Sequence, residues 1–228
     1  MDVNFTDKCA FAISEKSSND SMVFSESSSL LAGIFAIILA VVGTCLNLLF
    51  ILALLFHRRT RAHLTTPFML SVSVADFWNS LFNLPIMAVR FISRDWMGFL
   101  GFGICEIYPL SFYGTMGASL LSLTIITVNR AFILFFPNKV DRIFSNIIVV
   151  CNHNIPTSSI LILLLCWLVP TGILLLPTTG VYGEVGLNDA TQSCTLLRDE
   201  KGHTVKPLIY LVGFILPCVT LFVTNIAE

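Results

Sequence analysis

The 228-residue chain has little charge. Aspartate, glutamate, lysine and arginine together make up 12% of it, whereas a soluble globular domain carries about 25%. Apolar residues make up 55%, and the mean hydropathy is +0.84. These values exclude one large soluble core as the first interpretation, and they indicate an integral membrane protein.

The sequence also lacks the patterns by which several function classes are recognised. It contains no GxGxxG, phosphate-binding loop or HExxH, and its histidines lack metal-ligand spacing with one another. The formal net charge is −1, so nothing indicates nucleic acid as a partner. Paired inverted repeats, expected of a transporter, are not seen. An enzyme or a transporter therefore has little support.

The first 29 residues do not resemble a cleavable signal peptide. They carry five acidic residues and lack a basic start followed by a short apolar core. We expect a disordered extracellular tail over 1–29, followed by an uncleaved signal-anchor. Asn4 and Asn19 begin the sequons Asn4-Phe5-Thr6 and Asn19-Asp20-Ser21. These asparagines can be glycosylated only if the tail lies outside the cell.

Five apolar stretches are each long enough to cross a bilayer, which takes about 20 helical residues. They lie at 30–56, 67–89, 104–136, 160–177 and 207–224. The predicted fold class is all-α, an integral membrane bundle of five transmembrane helices over 30–228. Six basic residues on one side and seven on the other do not decide the orientation. Arg58, Arg59 and Arg61 directly follow the first stretch, which favours an outside N-terminus.

Cys105 and Arg130 lie 25 residues apart (130 − 105 = 25) in one apolar stretch. At about 1.5 Å per residue they are roughly 37 Å apart on a helix, just over the hydrocarbon thickness of a membrane. A thiol at one face and an arginine at the other is the layout expected of a signal-carrying helix. The predicted orientation places Cys105 and Cys194 on the outer face, where disulfides persist.

Three polar residues fall at a similar depth in three different stretches. Asp76 is ionisable and costly at mid-membrane, so it is a functional candidate, and Asn79 follows it by three residues. Asn47 and Ser119 lie at similar depths in the first and third stretches. The three side chains could converge on water and a small cation such as sodium. Alternatively, Asn47 and Ser119 only join helices through hydrogen bonds.

The outer part of the bundle holds a candidate ligand pocket. Arg90 directly follows the second stretch at its outer end, where it either extends to the interface or meets an anionic group of a ligand. Phe112, Tyr113 and Met116 lie about two helical turns into the third stretch. No carboxylate occurs among them, so a cationic amine would find no counter-ion. An apolar or lipid-like ligand fits better, although ordinary helix packing also explains these residues.

Taken in chain order, several residues resemble the rhodopsin-like G-protein-coupled receptors. The matches are Asn47, Asp76, Trp96, Cys105, Asn129-Arg130-Ala131, Trp167, Cys194 and Pro217. Segments 84–91, 119–123, 183–187, 190–195 and 213–218 are also similar to an insect group of these receptors, typified by Moody and Trapped in endoderm. The resemblance covers roughly 30 to 224 and implies a seven-helix receptor fold.

The resemblance implies roles for individual residues. Asn47, Asp76 and Ser119 would form a sodium site, with no other cofactor expected. Cys105 and Cys194 would form a disulfide that holds the second outer loop over the pocket. Arg130 would engage a heterotrimeric G protein, with Asn129 and Pro137 in the same coupling region. The implied setting is the plasma membrane, with an unidentified extracellular ligand, membrane lipids and a receptor dimer as further partners.

The sequence departs from this family in three places. Asn129 and Ala131 replace the usual aspartate and tyrosine, and asparagine cannot form a salt bridge with Arg130, so we predict raised basal signalling. The segment 150–159 lengthens the second inner loop, which we interpret as a retained intron, a gene-model error or a longer loop. The chain stops at Glu228, so we expect an incomplete receptor that does not signal by itself. The alternative is a five-span fragment that pairs with a full-length receptor and regulates it.

Overall fold

The computed structural model describes residues 25–56, 65–94, 101–135, 147–150, 153–188, 191 and 193–227. Seven α-helices form most of this part of the chain: α1 (Glu26–Phe56), α2 (Thr66–Trp78), α3 (Leu84–Ser93), α4 (Gly101–Phe135), α5 (Thr157–Thr178), α6 (Lys206–Tyr210) and α7 (Leu216–Ala227). Two π-helical turns, π1 (Asn79–Asn83) and π2 (Leu211–Ile215), join α2 to α3 and α6 to α7. The predicted helical bundle is confirmed.

The start of α1 lies four residues before the predicted start of the first stretch. The Ser25 hydroxyl accepts a hydrogen bond from the backbone N–H of Ser28 at 3.3 Å. It therefore satisfies one of the N–H groups that a first helical turn leaves free. Glu26 adds a negative charge at the positive end of the helix dipole. Residues 26–29, predicted as part of a disordered tail, thus belong to the helix.

Both π turns lie just before a proline. Pro85 and Pro217 are each the second residue of the helix that follows a π turn. Proline lacks a backbone N–H and cannot complete the ordinary helical ladder. The residue before each proline instead donates its N–H five residues back, Leu84 to Asn79 and Leu216 to Leu211. The predicted stretches 67–89 and 207–224 therefore appear as two helices each, joined by one wide turn.

Four helical segments in the described part of the chain are long and apolar enough to cross a membrane. They are Glu26–Phe56, Gly103–Ala131, Ser158–Thr178 and Lys206–Thr224. The run from α2 to α3 is not among them, so its crossing remains a prediction. Most of the surface of α1 is large and apolar, with Phe35 63% exposed, while its buried positions include Ser29, Gly33 and Ala36. Small residues inside and large ones outside suit a helix in lipid.

The helix α4 lies at the centre of the bundle and packs against α2, α5 and α7. Small residues permit the closest approaches between helices. A Cβ atom added at Gly117 would lie 2.7 Å from Cβ of Pro170 on α5, and one at Gly43 would clash with the Ser80 hydroxyl. Substitution of either glycine would therefore push neighbouring helices apart.

Two antiparallel hairpins occupy connections between helices, and the sequence analysis predicted neither. Strands β1 (Ile147–Val150) and β2 (His153–Pro156) pair directly before α5. Strands β3 (Glu184–Asn188) and β4 (Ser193–Leu197) pair between α5 and α6. Segment 150–159 thus supplies the return strand of the first hairpin and the first turn of α5. Its interpretation as a retained intron, a gene-model error or a longer loop stays a prediction.

Candidate ligand and activation site

A disulfide joins the β3–β4 hairpin to the N-terminal end of α4. We call this end of the bundle the outer end, because the predicted orientation places it outside. Cys105 on α4 and Cys194 on β4 are bonded, with Cα atoms 5.1 Å apart, across 89 residues of sequence. Both cysteines are buried with Tyr108, and Ile86 and Phe112 pack against this cluster. The predicted pairing is confirmed, and it places the hairpin beside the predicted ligand-pocket residues.

A second cluster supports the hairpin on the side of α5. Leu174, Leu196 and Val205 are each 1% exposed and come from α5, β4 and the residue before α6. Tyr113 packs against this cluster, and its hydroxyl lies 3.3 Å from the Thr195 hydroxyl. The hairpin therefore covers the outer ends of both α4 and α5.

The predicted pocket residues on α4 differ in their surroundings. The ring of Phe112 lies between Tyr108 and Tyr113, with ring centroids 5.7 and 5.3 Å away. Met116 is 45% exposed. Tyr113 also borders a cavity between α4, α5 and π2, whose volume of about 20 Å³ admits a group no larger than water. The cavity is apolar and too small for the predicted ligand.

Arg90 contacts the tip of the hairpin. Its Nη2 atom donates a hydrogen bond of 2.5 Å to the backbone carbonyl of Thr191. Its guanidinium carbon also lies 4.3 Å from the centre of the Phe91 ring, a favourable cation–π distance. The Arg90 side chain therefore contacts other parts of the protein at both Thr191 and Phe91. A ligand anion at Arg90 stays a prediction.

Two of the three predicted sodium ligands are brought together. The Ser119 hydroxyl donates to Oδ1 of Asp76 at 2.9 Å, across the interface of α2 and α4. The carboxamide of Asn47 instead donates to the carbonyl of Gly43 in its own helix at 2.9 Å. A carboxylate beside a hydroxyl oxygen is a donor set that hard cations prefer. Asp76 and Ser119 therefore fit a sodium ion, and Asn47 could join them only through its Oδ1 atom, since its Nδ2 atom is a donor.

A ladder of polar side chains crosses the same interface closer to the outer face. Oδ1 of Asn79 accepts hydrogen bonds from Asn83 at 2.7 Å and from Thr115 at 2.8 Å. Oδ1 of Asn83 accepts one from Ser111 at 2.9 Å, and Ser111 accepts one from the Trp78 ring at 2.9 Å. We call these five residues the polar ladder. They lie on α2, π1 and α4, and Asn83 is 1% exposed.

The sequence analysis named only Asn79 from the polar ladder, although a signal for more was present. Asn79 and Asn83 are four residues apart, and so are Ser111 and Thr115. Residues four apart share one face of a helix, so the sequence already indicated a polar face on each of the two helical segments. Which faces meet depends on how each helix is turned about its axis.

Trp167, noted only as a family match, also connects helices. Its ring N–H donates to the Ser71 hydroxyl at 3.0 Å, and Ser71 lies 3.1 Å from the fully buried hydroxyl of Ser122. The contact joins α2, α4 and α5 near their middles. It is a packing device between helices and lies away from the hairpin.

The C-terminal end of α4, which the predicted orientation places inside, carries Asn129 and Arg130. Asn129 is 7% exposed, and its Nδ2 atom has no hydrogen-bond partner within the described residues. Arg130 is exposed, and no carboxylate pairs with it in the same part of the chain. The arginine is therefore open to contacts from outside this part of the bundle. Pro137, the other predicted coupling residue, lies outside the described residues, as do Asn4 and Asn19.

The connection from β4 to α6 is organised around Asp199. Its carboxylate accepts backbone N–H bonds from His203 at 2.7 Å and Gly183 at 3.4 Å, and it lies 3.1 Å from the His203 ring. Desolvation opposes ionisation of Asp199, but these hydrogen bonds outweigh it and hold the pKa of the carboxyl below its usual range. Gly183 adopts φ 81°, where a side chain would be strained.

Comparison with known proteins identifies the fold. A family model described as "7 transmembrane receptor (rhodopsin family)" matches residues 46–227. The chain belongs to the rhodopsin family of seven-transmembrane receptors. The predicted family, membrane setting and non-enzymatic class are thereby confirmed. The crystal structure of squid rhodopsin superposes with a TM-score of 0.66 at 17% identity, covering 90% of this chain and 56% of the rhodopsin chain.

Two insect receptors are similar to this rhodopsin-family chain in sequence. Protein trapped in endoderm-1 of Drosophila melanogaster is 36% identical over 202 residues, which are 89% of this chain and 48% of that protein. The G-protein coupled receptor moody of Drosophila melanogaster is 29% identical over 202 residues, 28% of its length. The chain thus spans about half the length of the first relative and less of the second.

Proposed function

We propose that this rhodopsin-family chain serves in a G-protein-coupled receptor of the plasma membrane, with its N-terminus outside. The receptor responds to an apolar, lipid-like extracellular ligand and signals to heterotrimeric G proteins. The observation that carries the proposal is the hairpin bonded through Cys105–Cys194 beside Phe112 and Tyr113. The hairpin and these aromatic rings together provide an apolar contact surface at the outer end of α4.

The chemistry of this surface favours an apolar ligand. Phe112 and Tyr113 present aromatic rings and Met116 a thioether, and such groups contribute to binding mainly through buried apolar area. No carboxylate occurs among these three residues. A ligand amine that contacts only them would be desolvated without a counter-ion, which is unfavourable.

The inner end supports coupling to a G protein. Arg130 is exposed and without a carboxylate partner in the described part of the chain. A charged, extended donor at the end of a central helix can bind carbonyl groups of a cytosolic partner. Loss of Arg130 should therefore reduce coupling without disturbing the outer surface.

The test is G-protein dissociation in cells that express the receptor encoded by the gene, challenged with separated lipid fractions. Phe112→Ala and Met116→Ala should each weaken the response, by about tenfold in effective concentration for a lost apolar contact. Phe35→Ala, on the lipid-facing surface of α1, is the matched control and should respond normally. If the Phe112 and Met116 variants respond as strongly as the wild type, the proposed contact surface is wrong.

The second candidate function is a regulatory fragment that associates with a full-length receptor. The poorly covered surface of π2 and α7 favours it, because Phe214 and Phe222 are 60% and 68% exposed and could pack on another helix. Co-expression of the 228-residue chain with the full-length receptor separates the two functions. The regulatory role is supported if the short chain retains the full-length receptor inside the cell and gives no signal when expressed alone.

A further inference from the structure

We propose that Arg90 is a positioning residue that holds the tip of the β3–β4 hairpin against the outer end of α3. It acts as a non-covalent tether beside the Cys105–Cys194 disulfide. Any effect of this tether on ligand binding rests on the proposed receptor function, whereas the tether itself does not. This role differs from a direct contact between Arg90 and a ligand anion.

The hydrogen bond between Arg90 and Thr191 is well placed at both ends. The donor is a charged guanidinium, which makes a stronger bond than a neutral donor. The acceptor carbonyl belongs to Thr191, whose N–H donates to the Asn188 side chain at 3.2 Å. The Thr191 hydroxyl also lies 2.8 Å from the Ser193 hydroxyl. The bond therefore attaches to a part of the tip that is already held by local contacts.

The helix that carries Arg90 is itself fixed. The carbonyl of Phe91 accepts a hydrogen bond of 2.7 Å from the Ser29 hydroxyl on α1. The Phe91 ring also packs under the Arg90 guanidinium, which restricts the long side chain. These contacts limit the motion of Arg90 relative to α1 and α3. The hydrogen bond to Thr191 can therefore hold the hairpin tip in a fixed place relative to these helices.

The two tethers act on different helices. The disulfide holds Cys194, the second residue of β4, to α4, whereas Arg90 holds Thr191, at the tip, to α3. The disulfide and the cluster of Leu174, Leu196 and Val205 both hold β4, so the tip is the part of the hairpin they restrain least. An attachment of the tip to another helix, three residues from Cys194, opposes its movement. Arg90 therefore sets how the hairpin lies over the outer ends of α3 and α4.

No acid competes with Thr191 for Arg90 in the described part of the chain, where the one ion pair is between Asp199 and His203. Removing the guanidinium would therefore leave only the Thr191 carbonyl without its donor. It would not leave an unpaired carboxylate. The expected effect is local, at the hairpin tip, rather than a loss of the whole fold.

Amide hydrogen exchange of the 228-residue chain in nanodiscs of neutral phosphatidylcholine, without ligand or G protein, tests the tether. Arg90→Met keeps an apolar stem but removes the charge and the donors. It should raise the exchange rates of amides in β3 and β4 by about tenfold. Arg90→Lys keeps a charged donor and should raise them less. The disulfide, measured by mass after thiol alkylation, should stay intact in both variants.

The matched control is Arg198→Met, because Arg198 is exposed and makes no hydrogen bond within the described residues. Unchanged exchange in Arg90→Met, or an equal rise in Arg198→Met, overturns the proposal. If the methionine variant does not fold, Arg90→Lys decides alone, and no rise in that variant overturns it. Because the assay contains no ligand and no G protein, its result is separate from that of the signalling test.

Discussion

Ser119 donates a hydrogen bond of 2.9 Å to the carboxylate of Asp76 across the interface between α2 and α4. Asp76 is the ionisable group predicted at mid-membrane, and this is its one side-chain partner within the described residues. The bond joins α2 to α4, the two helices that the polar ladder also connects. A cation bound between Asp76 and Ser119 would therefore contact both helices.

Ser119→Ala should remove the response of the chain to sodium. We expect sodium chloride to raise the unfolding temperature of the wild-type chain relative to choline chloride, because an ion that binds only the folded state stabilises it. The variant should lose this difference. Thr127→Ala is the control, since within the described residues the Thr127 hydroxyl bonds only to the carbonyl of Leu123 in its own helix. Equal unfolding temperatures of the wild type in both salts would show that the sodium site is wrong.

Asn129→Asp should lower basal signalling of the receptor. An aspartate at this buried position could pair with Arg130, which asparagine cannot do. A restraint of about 1–3 kcal/mol shifts a two-state equilibrium by about 5–150-fold. The measurement is ligand-independent G-protein activation at matched surface expression. Unchanged basal activity would show that Asn129 does not release a restraint.

The polar ladder should behave as one unit. Asn83→Leu removes the acceptor for Ser111 and the donor to Asn79, while Thr115→Val removes the other donor to Asn79. Interhelical hydrogen bonds in membrane proteins contribute about 0.6 kcal/mol on average and up to about 1.7. Each variant should lower the unfolding free energy by about that amount. The double variant should cost less than the sum, because both changes act on one acceptor.

A matched control for the ladder is Thr220→Val, because in the described part of the chain the Thr220 hydroxyl bonds only to the carbonyl of Leu216 in its own helix. It should leave stability nearly unchanged. Strict additivity of Asn83→Leu and Thr115→Val would mean that Asn79 does not couple them. The ladder would then be a set of independent contacts.

Asp199 should make the outer loop sensitive to acid. Its pKa in the folded chain lies below the usual value, which is about 3.9 in unfolded peptides. The folded state therefore binds fewer protons, and stability from this group is present above that value and lost as pH falls through the folded pKa. The protection factors of the Gly183 and His203 amides, which correct for the intrinsic pH dependence of exchange, should fall as the pH drops below about 4. Asp199→Asn should show lower protection factors at neutral pH and little further change with acid.

The orientation of the chain can be tested at Asn4 and Asn19. If the N-terminus is outside, one or both asparagines should carry glycans when the chain is made in insect or mammalian cells. At each site that carries a glycan, the substitution Asn4→Gln or Asn19→Gln should remove a mobility shift that glycosidase treatment also removes. The predicted orientation is wrong if the wild-type chain carries no glycans and an antibody reaches an N-terminal tag only after the cells are permeabilised.

Much of the helical layout was predictable because long apolar stretches have few other stable forms in lipid. A chain in hydrocarbon must satisfy its backbone groups internally, and a helix does so. The predicted ends were within a few residues, and the largest differences came from local effects. Ser25 extends α1 at its start, and Pro85 converts a turn of the second stretch into π1.

The polar contacts were less predictable. Asp76 and Ser119 were expected at one depth, and their bond confirms that expectation. Asn47 shares the depth but bonds to Gly43 within its own helix. Arg90 was assigned either to the interface or to a ligand, and the structure places it on Thr191. Depth along a helix follows from residue number, whereas partners depend on which side of the helix faces a neighbour.

The sequence by itself determined that the chain is a membrane helical bundle and which polar residues lie at which depth. Family resemblance added the pairing of Cys105 with Cys194. Only the tertiary structure decided that Asn83 meets Ser111 and that Arg90 meets the hairpin tip. The physical reason is that helices which are apolar on nearly every side carry little periodic signal for their rotation. Rotation is set by close packing of neighbouring helices, and the side-chain partners follow from it.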